Sequence, residues 1–272
     1  MNAPANRSVY VVGYGAATPL GLTFAETWRR AAAGASGLRR ITRCRVETRN
    51  DVVGEIPGWN PAALDFVDRK EAYNWNADFV LLTMAVCREA LAHAGLVMDA
   101  AIGPRTACLV GSALNGTDAY RIAMDNYRNR GPLKISPYLL PNLCANLPAG
   151  KAGMLEGFTG PIFSPQGACA SGNHAIGIGA RMIRDGDCDV ALVGGVDTCL
   201  IPEIIHGFAN MLATISIGPK DRAYQEPAQA SRPFSIDRKG MVLAEGAGVL
   251  VLAADEVAAA LAERQVDFAD AP

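Results

Sequence analysis

At 272 residues, half of them apolar, the chain is long enough for one large α/β domain or two small ones, each with a real core. A formal charge of −2 with acidic and basic residues interspersed gives no electrostatic footprint for nucleic acid and no polybasic tract for a membrane. Every apolar run meets charge or glycine before it reaches spanning length, and no charged stretch precedes a long apolar one at the N-terminus, so a cytoplasmic address is expected. Cys44, Cys87, Cys108, Cys144, Cys169, Cys188 and Cys199 are odd in number and scattered. With no CxxC pair or Cys/His cluster they read as reduced thiols, and neither a metal nor a bound cofactor is expected.

Residues 8–13, SVYVVG, predict a buried opening strand. The Gly13-Tyr14-Gly15 that follows invites a dinucleotide reading, which fails because Thr18 stands where the third glycine belongs and Pro19 comes next. Thr23 to Glu26 form a capping box that opens a helix through Trp28, closed at Gly34. Residues 36–73 are turn-rich and are expected to be a surface excursion with a short strand at 51–55. An amphipathic helix follows at 77–94, with Phe79, Leu82, Val86 and Ala90 on one stripe and Gly95 as its C-cap. A second strand at 106–110 ends in Gly111-Ser112, a polar helix covers 117–129, and three prolines in PYLLPNLCANLPAG keep any helix there short or broken. Beyond residue 185 come a strand at 190–193 ending in Gly194-Gly195, an irregular loop at 218–233, a strand at 248–252, an alanine-rich helix and an acidic tail. This alternation predicts a largely parallel sheet covered on both faces.

The stretch PIFSPQGACASGNHAIGIGARMIRDGD, residues 161–187, organises the rest. An apolar run meets a Gly167-Ala168-Cys169 turn and then a helix rich in glycine and alanine. A thiol at a helix N-terminus lies near orphan N–H groups and the positive end of the macrodipole, which favour thiolate. Small neighbours let the backbone turn sharply and let an acyl group approach. Cys169 is therefore the candidate nucleophile. The following helix carries small or apolar residues around its circumference and needs packed neighbours on several faces, whereas one sheet covers one. A further layer is expected, from more chain or from another subunit. Other candidates read as structural. Glu245 is expected to be a buried, hydrogen-bonded carboxylate. Asp185, Asp187 and Asp189 sit in a turn that favours local backbone bonding, and Arg232 is expected to tether a loop. Phe208 and Met211 are candidates for a subunit-facing or acyl-facing surface. His174, five residues past Cys169, would lie about 140° around a helix and roughly 7.5 Å along it, poor geometry for a direct base. His93 and His206 are assigned structural or surface roles.

Taken together, VVGYGAATPLG (11–21), GSALNG (111–116), ISPYLLPNLCAN (135–146), GACASGNHAIG (167–177), GDCDVALVGGVD (186–197) and ASRPFSIDRKGMVLAEGAGVLVL (230–252) resemble the N-terminal half of a β-ketoacyl synthase. The resemblance spans residues 8–264, with 1–264 as the N-terminal domain and 265–272 as the acidic tail. It implies one half of a thiolase-like α/β/α/β/α sandwich, with a mainly parallel, mixed five-stranded sheet. It also implies a reaction on acyl carrier protein thioesters in fatty acid or polyketide synthesis, with substrates carried on phosphopantetheine. Cys169 would take the acyl group and its backbone N–H would be one oxyanion donor. The family's two catalytic histidines, its lysine and its glycine-rich loop belong to the C-terminal half, which is expected to be absent here. A dimer is implied, either of this chain through the sheet edge near Cys169 or with a synthase subunit supplying the histidines, and the isolated chain is expected to be inactive. The alternative readings are a non-catalytic subunit resembling a chain-length factor or binding carrier protein, and an inactive truncated product. Lys239 and Met241 stand where the family usually has Asp and Phe, and Gly167 replaces a common Thr.

Overall fold

A computed structural model describes residues 7–68, 70 and 77–269. The chain divides into two compact units, one drawn from residues up to Ala16, Pro61–Asp197 and the stretch from Ala247 onward, the other from Ala17–Asn60 and Thr198–Gly246.

The first unit is built on a five-stranded sheet in the order β1-β7-β6-β4-β5. Its strands are β1 (Val9–Ala17), β4 (Thr106–Gly111), β5 (Ile162–Phe163), β6 (Val190–Asp197) and β7 (Gly246–Ala254). β4, next to the edge strand β5, pairs in parallel with both β5 and β6, Cys108 lying opposite Ile162 on one side and Leu192 on the other. All six residues of β4 are buried, as its unbroken apolar run requires of a strand covered on both faces. β1 differs from expectation. It is an edge strand whose start is open, with Tyr10 and Val11 about half exposed, and it runs on through Gly13 and Gly15. Those glycines form no phosphate loop. A Cβ on Gly13 would fall 2.4 Å from the Ala90 carbonyl oxygen and one on Gly15 2.2 Å from that of Val86, so their bareness lets α2 (Asp78–Ala94) lie on the strand.

That helix is buried well beyond the expected stripe, with Val80, Leu81, Met84, Cys87 and Leu91 also enclosed. It is a core helix, and left-handed Gly95 closes it as expected. α3 (Thr117–Arg130) buries only Ala119 and Ala123. The proline-rich stretch gives a short α4 (Leu139–Leu143) and then α5 (Leu147–Glu156), with Pro148 in the first turn, where a missing N–H costs nothing. α6 (Ser171–Asp185) lies on β4 and β6. The final helix, α9 (Asp255–Ala269), runs into the stretch expected to be tail, and residues 270–272 lie outside the described ones. Asp189 lies in the turn just ahead of β6, and its carboxylate bonds to arginines from elsewhere in the unit and not to its own turn. It pairs with Arg7 at 2.8 Å and accepts two hydrogen bonds at 2.9 Å from Arg105, which hold its carboxyl at about 2.

The second unit corrects the expectation of a surface excursion at 36–73. β2 (Arg39–Arg40) and β3 (Val52–Val53) form a two-stranded antiparallel hairpin, and Val52, Val53 and Ile56 are core residues. Residues 69 and 71–73 of that stretch lie outside the described ones. Val52 packs with Ile215, Ile217, Ala223 and Ala230, and Val53 packs with Leu200 and Ile205. α1 (Phe24–Ala32) opens at Thr23, whose hydroxyl accepts the Glu26 N–H. α7 (Pro202–Asn210) and a four-residue α8 (Arg222–Gln225) complete the helices of this unit. The 218–233 loop thus carries a helical turn that sequence periodicity did not reveal.

Candidate active site

Residues 161–187 fold as strand, tight turn and helix. β5 ends at Phe163, a single 3-10 turn covers Ala168–Ala170, and α6 starts at Ser171 and stops at left-handed Gly186. Cys169 sits in the turn, two residues ahead of the helix, and is exposed. Ala168 has φ +50°, a left-handed conformation that costs a residue with a Cβ about 1 kcal/mol.

Ser171 holds this turn in place. Its buried hydroxyl accepts the Gly167 N–H at 2.9 Å and donates to the Ala168 carbonyl at 2.7 Å, while the Ala170 N–H bonds the Gly167 carbonyl. The Cys169 N–H donates to no acceptor among the described residues. Ser171 was not singled out from the sequence. The available signal was a hydroxyl residue at the first helical position, where such side chains engage nearby backbone.

Small residues seat the helix on the sheet. A Cβ on Gly111 would meet Ser171 Cβ at 2.5 Å, one on Gly195 would lie 3.2 Å from the Gly172 Cα, and one on Gly179 would strike Val193 at 2.4 Å. The stripe Ser171, Ala175, Gly179 and Ile183 is buried, whereas Asn173, His174, Gly177, Ile178 and Arg181 are exposed. Burial on several faces is therefore not met among the described residues, where only the sheet covers α6.

Three of the sequence motifs meet here. Asp197, at the end of β6, accepts N–H bonds from Ala113 and Leu114 at 2.9 Å and a hydroxyl bond from Ser112 at 2.9 Å, which clamps the 111–116 loop. A Cβ on Gly116 would fall 1.9 Å from the Asn142 carbonyl oxygen, so the 135–146 stretch lies against the same loop. Asp197 is a second residue that sequence reading passed over, because its partners lie more than eighty positions away. Next to the loop, burial and then the Asp78 charge push the Asp118 carboxyl up to about 6.

The thiols separate by position. Cys87, Cys108, Cys188 and Cys199 are buried. A hydrogen bond with Cys108 and burial push the Cys87 thiol up, and burial raises Cys188 to about 11. Cys44 is half-buried, and exposed Cys144 donates to the Leu140 carbonyl at the end of α4. Cys169 alone of the seven is both exposed and set in the turn ahead of a long helix.

The imidazole of His174 fills the space beside Gly167, where a Cβ would lie 2.4 Å from Cε1 and Nδ1. Glycine in place of the usual threonine thus has a steric counterpart in this chain. His93 packs against Tyr14 at 3.7 Å between centroids, and His206 Nε2 accepts the Glu47 N–H at 3.4 Å. Glu245 is buried, pairs with Arg43 and accepts the Ile56 N–H at 2.6 Å. Arg232 reaches Asp237 at 3.2 Å across its own loop. Lys239, in place of the family's aspartate, pairs with Asp221. Met211 is exposed and Phe208 half-buried. No helix among the described residues is long and apolar enough to cross a membrane.

Comparison with known proteins agrees with this geometry. The chain is 30% identical over 256 residues to 3-oxoacyl-[acyl-carrier-protein] synthase 2 of Staphylococcus aureus, covering 94% of this chain and 59% of that protein. It is 32% identical over 260 residues to the synthase of the same name from Rhizobium meliloti, covering 90% and 59%. The chain thus spans about three-fifths of the length of the curated relatives it matches. Among solved structures, a β-ketoacyl synthase from Burkholderia phymatum superposes with a TM-score of 0.80 at 26% identity, over 93% of this chain and 60% of that one. A type II polyketide ketosynthase in complex with its acyl-carrier protein superposes with a TM-score of 0.75 at 25% identity, over 93% and 60%. Residues 6–258 match the family described as "Beta-ketoacyl synthase, N-terminal domain". With the strand-turn-helix that presents Cys169 and a mixed five-stranded sheet behind it, the chain belongs to the β-ketoacyl synthase family, in its thiolase-like N-terminal half.

Proposed function

We infer that this chain supplies the nucleophile half of a condensing enzyme, with residues 1–264 as its N-terminal domain. Cys169 Sγ attacks the carbonyl carbon of an acyl thioester on a carrier protein, a new C–S bond forms, and the carrier's pantetheine thiol leaves. A malonyl thioester then loses CO2 by cleavage of its C–C bond. The resulting carbanion attacks the acyl-enzyme carbonyl and expels the Cys169 thiolate, leaving a 3-oxoacyl product on the carrier. The observation that carries the reading is the exposed thiol on a strained turn braced by buried Ser171, with its own N–H unengaged and free to face a developing oxyanion.

Condensation also needs proton transfer and a second oxyanion donor. His174 lies on the exposed side of α6 beside Gly167, five residues past Cys169, and His93 and His206 have structural contacts. The reading therefore assigns those groups to polypeptide outside these residues, in the same protein or in a partner synthase subunit. Two features support such a neighbour. The outer face of α6 is open, and in the other unit Phe234 and Ile236 are fully exposed. A carrier protein and a paired synthase subunit are the proposed partners, since one similar structure is a ketosynthase with its acyl-carrier protein and another a ketosynthase/chain length factor.

Intact-protein mass spectrometry after incubation with acyl carrier protein thioesters, with the complementary synthase half supplied, tests the reading. An acyl mass increment that maps to Cys169 and disappears in Cys169→Ala is expected. If Cys169→Ala leaves product formation by the assembled enzyme unchanged, the chain is a non-catalytic subunit.

A further inference from the structure

The second unit contains a polar cleft of about 360 Å³ that the condensation chemistry does not use. It lies between the stretch that joins β2 to β3 and the loop leading to α8, and is lined by Arg40, Thr48, Arg49, Asp51, Ile217, Pro219 and Tyr224. Its two arginines differ in their engagements. Arg40 is neutralised by Asp51, donates to the Tyr224 carbonyl at 3.0 Å and lies 4.9 Å above the Tyr224 ring. It forms a fixed wall. Arg49 makes no ion pair or side-chain hydrogen bond among the described residues. Asp221, a carboxylate that feels its charge, is already held by Lys239 and by the Gly218 N–H at 2.7 Å. One guanidinium charge in the lining is thus left unmatched.

A second observation is independent of that charge. The hydroxyl oxygen of Thr48 is buried and has no hydrogen-bond partner. A buried orphan hydroxyl costs about 1–3 kcal/mol unless something bonds to it. A planar fork of donors beside a lone hydroxyl matches the several acceptor oxygens of a phosphoryl group, which arginine binds with two parallel bonds. Ile217 and Pro219 add an apolar wall, and the cleft has the size of a small-molecule site.

We propose that this cleft binds a small phosphate monoester, its phosphoryl group held by Arg49 and Thr48 and its organic part lying along Ile217 and Pro219. The site belongs to the second unit alone and is separate in chemistry from acyl transfer at Cys169.

Titration of the chain with inorganic phosphate and with phenyl phosphate, at constant ionic strength set by chloride and followed by calorimetry or NMR, tests the proposal. Saturable binding is expected, weakened at least about tenfold in Arg49→Gln and in Thr48→Val, in line with loss of one charge-assisted bond. Arg45→Gln, which removes an exposed arginine paired with Glu47, is expected to bind as wild type. Tighter binding of phenyl phosphate assigns an organic ester, and equal or tighter binding of inorganic phosphate assigns the free ion. A second measurement needs no variant: phosphate is expected to protect Arg49, but not Arg45, from phenylglyoxal as read by peptide mass spectrometry. Absence of saturable binding, or equal protection of both arginines, overturns the proposal.

Discussion

In the unit built on β4 and β6, cohesion comes from apolar strands and from backbone brought close by glycine. Gly194 shows the limit of that approach, since a Cβ there would fall 1.9 Å from the Gly248 carbonyl oxygen. The unit formed by Ala17–Asn60 and Thr198–Gly246 has small apolar clusters and is stitched by buried polar side chains. Glu55 accepts N–H bonds from Thr42 and Arg43 and a hydroxyl bond from Thr42. Glu245 binds Arg43 and the Ile56 N–H, and Asn50 donates to Thr214 and Ile215. The first unit leans more on shape, with Asp197 and Asp189 as local ties, and the second more on bonding. Shape tolerates no added atom at a few positions, whereas bonding tolerates volume change but no loss of a partner.

Substitutions that act on one mode at a time would sharpen this contrast or break it. The largest effect is expected from Gly194→Ala, which cannot be accommodated unless β6 moves away from β7, at a cost of about 4 kcal/mol or more. A urea midpoint within error of wild type would show that the sheet yields more easily than its packing indicates. Next is Glu245→Ala, which leaves the buried Ile56 N–H without its acceptor and the exposed Arg43 without its ion pair, for about 2 kcal/mol. Hydrogen exchange is expected to quicken in residues 39–56 and 213–245 while β4 and β6 keep their protection. Uniform loss across both units would abolish the distinction between them.

The third effect is a pH dependence in the sheet-centred unit. Asp118 titrates at about 6 in the folded chain, above its unfolded value near 3.9, so the folded state binds the extra proton between those values. Stability therefore falls as pH rises through 6, by about 1 kcal/mol between pH 5 and pH 7 from this group. Asp118→Asn is expected to remove that slope, read as the difference between the two proteins in denaturant melts at each pH. The smallest effect belongs to Gly167→Ala. The new methyl meets only the ring of an exposed histidine, which can turn away, so stability is expected to change by less than about 0.5 kcal/mol. The His174 side-chain resonances are expected to shift all the same, and their constancy would mean that the ring does not occupy that space.

How legible these features were follows the same division. The strands β4, β6 and β7 and the helix over 78–94 were readable because an apolar run or a 3.6-residue period is written locally. So was the strand-turn-helix at Cys169, where glycine, alanine and a cysteine succeed one another before a helix. The short strand at 52–53 was legible, but the burial of the hairpin at 39–53 was not, since its core partners Ile215 and Ile217 lie more than 160 positions onward and leave no periodic trace nearby. Ser171, Asp197 and the Arg49–Thr48 cleft were missed for a related reason. A hydroxyl, a carboxylate or an arginine looks alike in sequence whether it meets water or a buried partner.

The sequence by itself determined the α/β class, the cysteine to which chemistry is assigned, and a family whose motifs run through most of the chain. Only the tertiary structure decided how the turn at Cys169 is held, because Ser171 closes two hydrogen bonds across four residues and Gly111 makes room for it from another strand. It also decided that, among the described residues, α6 is covered by the sheet on one face alone. That outcome depends on which residues Ala175, Gly179 and Ile183 find opposite them, and no local pattern records it.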